Sequence, residues 1–139
     1  MEMYLKRVSV YEDEKMALWY YPESKIVHHK MKKLIYGDDF KKLLMTGLDV
    51  FLMHGCKKWL SDDRNNPVLM KEDIEWGNKH WQPEVLKAGW KYWAVVKPKD
   101  LLSQIPITEL IEMYQELDIT TKVFDDDVKA YLWLAGLEC

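Results

Sequence analysis

Cysteine, long apolar runs and excess charge of one sign are all scarce in this chain of 139 residues. Its two cysteines, Cys56 and Cys139, have neither metal-site nor redox-motif spacing, so we expect two free thiols. No run approaches the roughly 20 apolar residues of a membrane span, and the first residues lack the apolar core of a signal peptide. The net charge of −3 gives no reason to expect nucleic acid or an anionic membrane as a partner. These absences favour a soluble, cytoplasmic protein.

Familiar catalytic signatures are also absent. The sequence has no glycine-rich phosphate loop and no Gly-x-Ser-x-Gly turn. His28 and His29 are adjacent on a predicted strand, so their side chains point to opposite faces and cannot chelate one metal ion. His80 has no second ligand at helical spacing. We therefore expect no metal, no cofactor and no catalytic residue that sequence alone would reveal.

Tryptophan is the residue type in unusual supply, with seven in the chain. Trp19, Trp59 and Trp133 lie within apolar patterns, and large aromatic side chains in such patterns are usually buried. We predict that these three belong to the core.

Apolar periodicity predicts alternating strands and helices in a single domain, residues 1–139. Strands are predicted over residues 4–11, 16–21, 25–33, 57–61, 90–97 and 119–124. Helices are predicted to begin with Asp38 as a cap, near Glu72, at Pro106 and at the Asp125–Asp127 run. Pro83 should kink or break the second helix. The order β-β-β-α-β-α-β-α-β-α predicts an α/β fold: a mixed, mostly parallel sheet with an antiparallel N-terminal edge, flanked by about four helices.

Four segments carry a resemblance to a known family. They are Trp59-Leu60-Ser61-Asp62-x-Arg64, the helix with Trp76 and Trp81-x-Pro83, Gly89-Trp90-Lys91-x-x-Ala94-Val95-Val96-x-Pro98, and Phe124-Asp125-Asp126-x-x-x-Ala130-x-x-Trp133-Leu134. On these motifs the chain resembles small bacterial STAS-like proteins, whose fold is shared with anti-sigma-factor antagonists and related to the CRAL-TRIO lipid-binding fold. The resemblance implies a single STAS-like domain of cytoplasmic bacterial origin. It implies no reaction, because this branch has no agreed biochemical role.

The same resemblance raises the question of a phosphorylation switch. Anti-sigma-factor antagonists are controlled by phosphorylation of a serine that begins the helix after a central strand, which adds up to about two negative charges. The matching segment here, Asp62 to Lys71, contains neither serine nor threonine. Ser61 lies inside a predicted strand and Ser103 precedes a different helix. We therefore expect no switch of this kind.

Charged residues follow the predicted parallel strands: Asp62, Asp63 and Arg64 after one, and Lys97 after the next. Ligands of open parallel sheets bind beyond the carboxyl ends of the strands, near a topological switch point, so Asp62, Arg64 and Lys97 are candidate ligand- or partner-binding residues. The simpler interpretation is that Asp62 and Arg64 form an ion pair or a turn lock. An alternative function is a small Mg²⁺-dependent enzyme or phosphoacceptor that uses the carboxylates of Asp62 and Asp63 with Lys97.

Trp76 and His80 complete the candidate site. Trp76 lies opposite the apolar stripe of its predicted helix, so its indole should face outward beside His80 and offer a surface for a partner subunit or an apolar ligand. If Pro83 changes the phase of the helix, Trp76 packs differently. The sequence as a whole favours a non-enzymatic regulatory or interaction module that binds a protein partner or a small apolar or anionic ligand, and a homodimer is one form it would take.

Overall fold

Six strands form one mixed sheet in the computed structural model, which describes residues 6–66 and 68–138. The strands are β1 (Val8–Glu12), β2 (Met16–Tyr21), β3 (Ile26–Met31), β4 (Lys58–Asp62), β5 (Tyr92–Val96) and β6 (Thr120–Phe124). Their spatial order follows the chain. Pairing is antiparallel from β1 to β3 and parallel from β3 to β6. The predicted mixed, mostly parallel α/β fold with an antiparallel N-terminal edge is confirmed.

Helices follow each of the strands β3 to β6. They are α1 (Asp38–His54), α2 (Lys71–Trp76), a π-helical segment (Gly77–Trp81), α3 (Gln82–Lys87), α4 (Leu101–Glu116) and α5 (Asp127–Ala135). The helix predicted after β4 is thus one continuous run of α2, the π segment and α3. Residues of α1, the π segment, α3 and α4 share one apolar core on one face of the sheet, while α5 packs on the other face. Neighbouring parallel strands joined by crossovers of one hand place their helices on one face in this way.

The two longest helices differ from the sequence expectation at their starts. Gly37, with a φ of 61°, is the N-cap residue of α1, and Asp38 is the first helical residue, where its charge suits the helix dipole. Gly55 ends α1 in the left-handed conformation. Helix α4 begins at Leu101 rather than at Pro106, which lies inside it. The first turn forms without the proline, because the Ser103 N–H donates to the carbonyl of Asp100.

Pro83 leaves its helix unbroken. The five residues of the π segment directly precede α3, in which proline occupies the first turn. Proline has no N–H to donate and clashes with the carbonyl four residues earlier. A wider π-helical turn at that point lets the chain stay helical while the α-helical bonding is lost. The predicted kink or break is therefore a local change of helix type.

The N-cap of the last helix, α5, agrees with the sequence prediction. Asp126 caps α5 by accepting from the backbone N–H groups of Val128 and Lys129, as the acidic run predicted. The residues that face the sheet are Ala130 and Leu134, whereas Leu132 is 60% exposed.

Burial confirms two of the three predicted core tryptophans. Trp19 and Trp59 are buried, and Trp133 is half-buried on α5. Strand β5 is an inner strand with four of its five residues buried. In the described part of the chain, no helix is both long enough and apolar enough to cross a membrane.

Candidate functional site

The strand ends do not form the crevice that the sequence suggested. Such a crevice arises where the strand order reverses and helices leave to opposite faces. Here the order never reverses, and the helices of the three parallel crossovers all pack on the same face. A binding site at the carboxyl end of this sheet must instead lie between the sheet and that helical layer.

Asp62 and Arg64 form a closed ion pair beneath the start of α5. The Arg64 guanidinium donates to both carboxylate oxygens of Asp62, at 3.1 and 2.9 Å, and lies 3.4 Å from Asp127. Asp62 is buried, and its hydrogen bond raises the pKa of Arg64 further above its ordinary value. This geometry is the turn lock of the simpler interpretation, and it ties β4 to α5.

Asp63 belongs to the opposite face of the sheet. Successive residues of an extended chain alternate in direction, and Asp63 Oδ1 lies 2.9 Å from Nε2 of His29 on β3. Asp62 and Asp63 therefore do not converge on one point. No group of three or more His, Cys, Asp or Glu side chains among the described residues is placed to hold a metal ion. The carboxylate pair required by a Mg²⁺-dependent enzyme or phosphoacceptor is not assembled.

A cavity of about 60 Å³ lies between the sheet and the helical layer. Its walls come from β3, β4 and β5 below and from α1, α2, the π segment and α4 above. Most of the lining is apolar or aromatic, with five polar side chains among them, namely His29, Ser61, Asp63, Asp73 and Asn78. The residues that line it are His29, Met31, Phe40, Leu44, Trp59, Ser61, Asp63, Leu69, Asp73, Ile74, Gly77, Asn78, Trp81, Trp93, Ile107, Leu110 and Tyr114.

Hydrogen bonds hold the aromatic walls in place. The indole N–H groups of Trp81 and Trp93 donate to the carbonyl of Leu44 at 3.0 Å and to Ser61 Oγ at 2.8 Å. The hydroxyl of Tyr114 on α4 donates to Asn78 in the π segment at 3.3 Å. Buried indole and phenol groups need such partners, and here those partners join helix to helix at Leu44 and Asn78 and strand to strand at Ser61. The walls are therefore fixed without a ligand.

His29 is fixed in one tautomer. The indole N–H of Trp59 donates to Nδ1 of His29 at 3.0 Å, and an indole nitrogen is only a donor. Nδ1 is therefore unprotonated, and the proton is on Nε2, which donates to Asp63. A Ser–His–Asp hydrolase needs a histidine nitrogen free to accept from the serine. Ser61, His29 and Asp63 line one cavity, but the indole occupies that nitrogen.

The remaining predicted residues lie elsewhere. Trp76 is half-buried, with its ring centroid 5.7 Å from Lys41 Nζ and 5.9 Å from the ring of His80, which is exposed. Lys97 is half-buried after β5, and its backbone N–H donates to Phe124. The candidate residues Asp62, Arg64, Trp76, His80 and Lys97 thus occupy separate places, and none of them is among the residues that line the cavity.

Sequence reasoning missed the cavity, although one signal for it was present. Trp59 and Ser61 on β4 and Asp63 directly after it alternate along the extended chain and so share a face. Polar residues in alternation with a buried tryptophan mark the inner side of the strand, where a polar group needs a specific partner. No family model, no curated protein and no solved structure matches this chain, so the site is interpreted from its own geometry.

Proposed function

We propose that this chain is a non-enzymatic binding module whose small, largely apolar ligand occupies the cavity between the sheet and the helical layer. The cavity supplies what ligand sites commonly combine, namely apolar and aromatic walls with a few fixed polar groups. A regulatory role follows if the ligand changes how the helical layer meets a protein partner. The resemblance to STAS-like proteins favours such a role and rests on the sequence motifs.

Gly77 is the observation that carries this proposal. It has ordinary right-handed helical dihedrals, so its backbone does not require glycine. A Cβ there would meet only Leu44 Cδ1, at 4.0 Å, so packing does not require glycine either. Glycine in a helix costs about 1 kcal/mol relative to alanine. The missing side chain leaves open the space that a methyl group would partly fill, which is what a ligand cavity requires.

The π-helical segment supports the same reading. Such segments are rare and occur frequently at functional sites. This one contributes Gly77, Asn78 and Trp81 to the cavity wall.

The non-enzymatic part of the proposal rests on His29. Its two ring nitrogens are both engaged, by Trp59 and by Asp63, so neither is available to accept a proton from a ligand. Binding without chemistry is the simplest use of such a site.

Titrating the protein with small probe ligands and monitoring the ¹H–¹⁵N NMR spectrum tests the proposal. The indole N–H signals of Trp59, Trp81 and Trp93 serve as reporters. The probes are n-hexylammonium, 1-hexanol and hexanoate, which share one chain and differ in their head group. We expect at least one of them to shift these signals saturably. Shifts by none of the three would overturn the proposal.

A matched pair of glycine substitutions locates the binding. Gly77→Ala should weaken binding of the probe, and Gly77→Val should weaken it further, because the larger side chain fills more of the cavity. Gly136→Ala is the control, since Gly136 also has right-handed dihedrals and its Cβ would make only ordinary contacts. Equal loss of affinity in Gly136→Ala would show that the effect does not come from the cavity.

A further inference from the structure

Two buried carboxylates line the cavity without a lysine or arginine partner among the described residues. Asp63 and Asp73 are 8% and 5% exposed. Asp63 accepts from the neutral ring of His29, and Asp73 accepts from the backbone N–H of Gly37 with both oxygens, at 3.2 and 3.1 Å. Within the described ranges, neither carboxylate forms an ion pair with lysine or arginine. Buried charges are normally paired, so this site has negative charge still to be balanced.

The rest of the lining adds no positive charge. Among the described residues, no lysine or arginine lines the cavity, and Nδ1 of the lining His29 accepts from the indole N–H of Trp59. An anionic ligand would therefore meet two buried carboxylates and nothing to offset them. Of the two ligand classes expected from the sequence, the electrostatics of the cavity disfavours the anionic one.

Aromatic rings form much of the wall. Phe40, Trp59, Trp81, Trp93 and Tyr114 all line the cavity. The negative faces of such rings attract organic cations, and this attraction is stronger in a site removed from water. Carboxylates and aromatic rings together are the chemistry that recognises an ammonium group. A divalent metal ion instead needs several convergent oxygen ligands, which these walls do not offer.

We infer that the ligand is an organic ammonium ion whose head group enters the cavity beside Asp63 and Asp73. This inference rests on the proposed function, and it adds the charge and chemical class of the ligand. A volume of about 60 Å³ is well below the roughly 150 Å³ of a cavity that binds benzene, so it admits a head group of a few heavy atoms rather than a whole metabolite.

A groove beside the cavity offers space for the remainder of the ligand. A groove of about 260 Å³ lies between the π segment and α4, lined by Ile74, Asn78, Pro106, Glu109, Leu110 and Met113. Ile74, Asn78 and Leu110 also line the cavity, so the two spaces share a wall. The groove is largely apolar. A ligand with an ammonium head group on an alkyl chain or an apolar ring would place the head group in the cavity and its apolar part in the groove.

The three hexyl probes test this inference on the wild-type protein. At neutral pH we expect n-hexylammonium to bind at least tenfold more tightly than 1-hexanol, and hexanoate to bind more weakly than both. Equal or tighter binding of 1-hexanol or hexanoate would overturn the inference and leave the proposed function standing. Binding of none of the three would overturn both.

Isosteric substitutions assign the effect to the two carboxylates. Asp63→Asn and Asp73→Asn each keep an oxygen that accepts the existing hydrogen bond while removing the charge. We expect each substitution to weaken the binding of n-hexylammonium at least tenfold and to leave the affinity for 1-hexanol nearly unchanged. Each should also raise the melting temperature of the unliganded protein. Asp49→Asn, at an exposed position of α1, is the control for a general loss of negative charge. Wild-type affinity for n-hexylammonium in both variants would overturn the inference.

Discussion

The indole N–H of Trp59 donates to Nδ1 of His29 across two neighbouring parallel strands, at 3.0 Å. Trp59 is only 1% exposed, and its ring contacts Phe51, Trp81 and Trp90 as well. One side chain therefore supports the helical layer and fixes the tautomer of the histidine at the cavity. The wall of the cavity and the packing of the core therefore depend on the same residue.

Trp59→Phe should release Nδ1 of His29 from its hydrogen bond. In the wild type we expect long-range ¹H–¹⁵N spectra to show the Nε2–H tautomer at neutral pH, and in the variant a mixture of tautomers. A buried acceptor left without its donor costs about 1–3 kcal/mol of unfolding free energy. Trp81→Phe, which removes an indole N–H that has no contact with His29, is the control. An unchanged His29 spectrum in Trp59→Phe would contradict the assignment.

Gly47→Ala should destabilise the protein strongly, because a Cβ at Gly47 on α1 would overlap the ring of Trp59. The ring also contacts Phe51, Trp81 and Trp90, so moving it would disturb the aromatic packing of the core. Overpacking of this kind costs about 1–3 kcal/mol. Chemical denaturation of Gly47→Ala measures the loss, and Gly77→Ala, where the space is open, should instead be neutral or stabilising. Equal effects of the two substitutions would contradict the packing described.

The stability of the protein should fall on acidification through His28. This residue is 1% exposed, and burial, the largest cause, together with the nearby charge of Arg7 holds its pKa well below the ordinary value. The folded state thus binds this proton less readily than the unfolded state. The free energy of unfolding is then highest above pH about 6.5 and declines as the pH falls below that value.

Denaturation at a series of pH values measures the contribution of His28. His28→Gln should show a flatter decline between pH 6.5 and pH 5 than the wild type, whatever its absolute stability. His80→Gln, at an exposed position, should keep the wild-type slope. A wild-type slope in His28→Gln would mean that another group is responsible.

Substitution of Trp76 tests whether this residue forms a surface for a partner or only packs against the core. Its ring is half-buried and packs against the core, so Trp76→Ala should cost less than the 3–5 kcal/mol of a fully buried aromatic, about 1–2 kcal/mol. If the surface with His80 binds a second copy of the chain, sedimentation should also show weaker self-association in the variant. An unchanged sedimentation profile with a large loss of stability would contradict the surface hypothesis.

Local chemistry let the sequence predict the strands and several helix ends. Gly55 ends α1 because glycine adopts the left-handed conformation without cost, and Asp126 caps α5 because its carboxylate reaches two free N–H groups nearby in the chain. Both effects act within a few residues. The alternating order of strands and helices then limited the fold to a mixed, mostly parallel sheet.

The candidate site depended on contacts between distant parts of the chain. His29 and Asp63 are separated by 34 positions, and Tyr114 and Asn78 by 36, yet each pair forms a hydrogen bond at the cavity. Sequence periodicity gives the face of each element but not the distance between elements. It therefore could indicate the local pair of Asp62 and Arg64 but not that Asp63 faces a cavity beside His29.

The sequence by itself determined where this chain is extended, where it is helical and which side chains are apolar enough to be buried. The tertiary structure alone decided that the crossover helices share one face and that Gly77 leaves a space open beneath them. Hydrogen bonds along the backbone and allowed dihedrals are local, so they can be read from neighbouring residues. A cavity is the space that remains after distant side chains have packed, and its shape and charge exist only once the sheet and the helices meet.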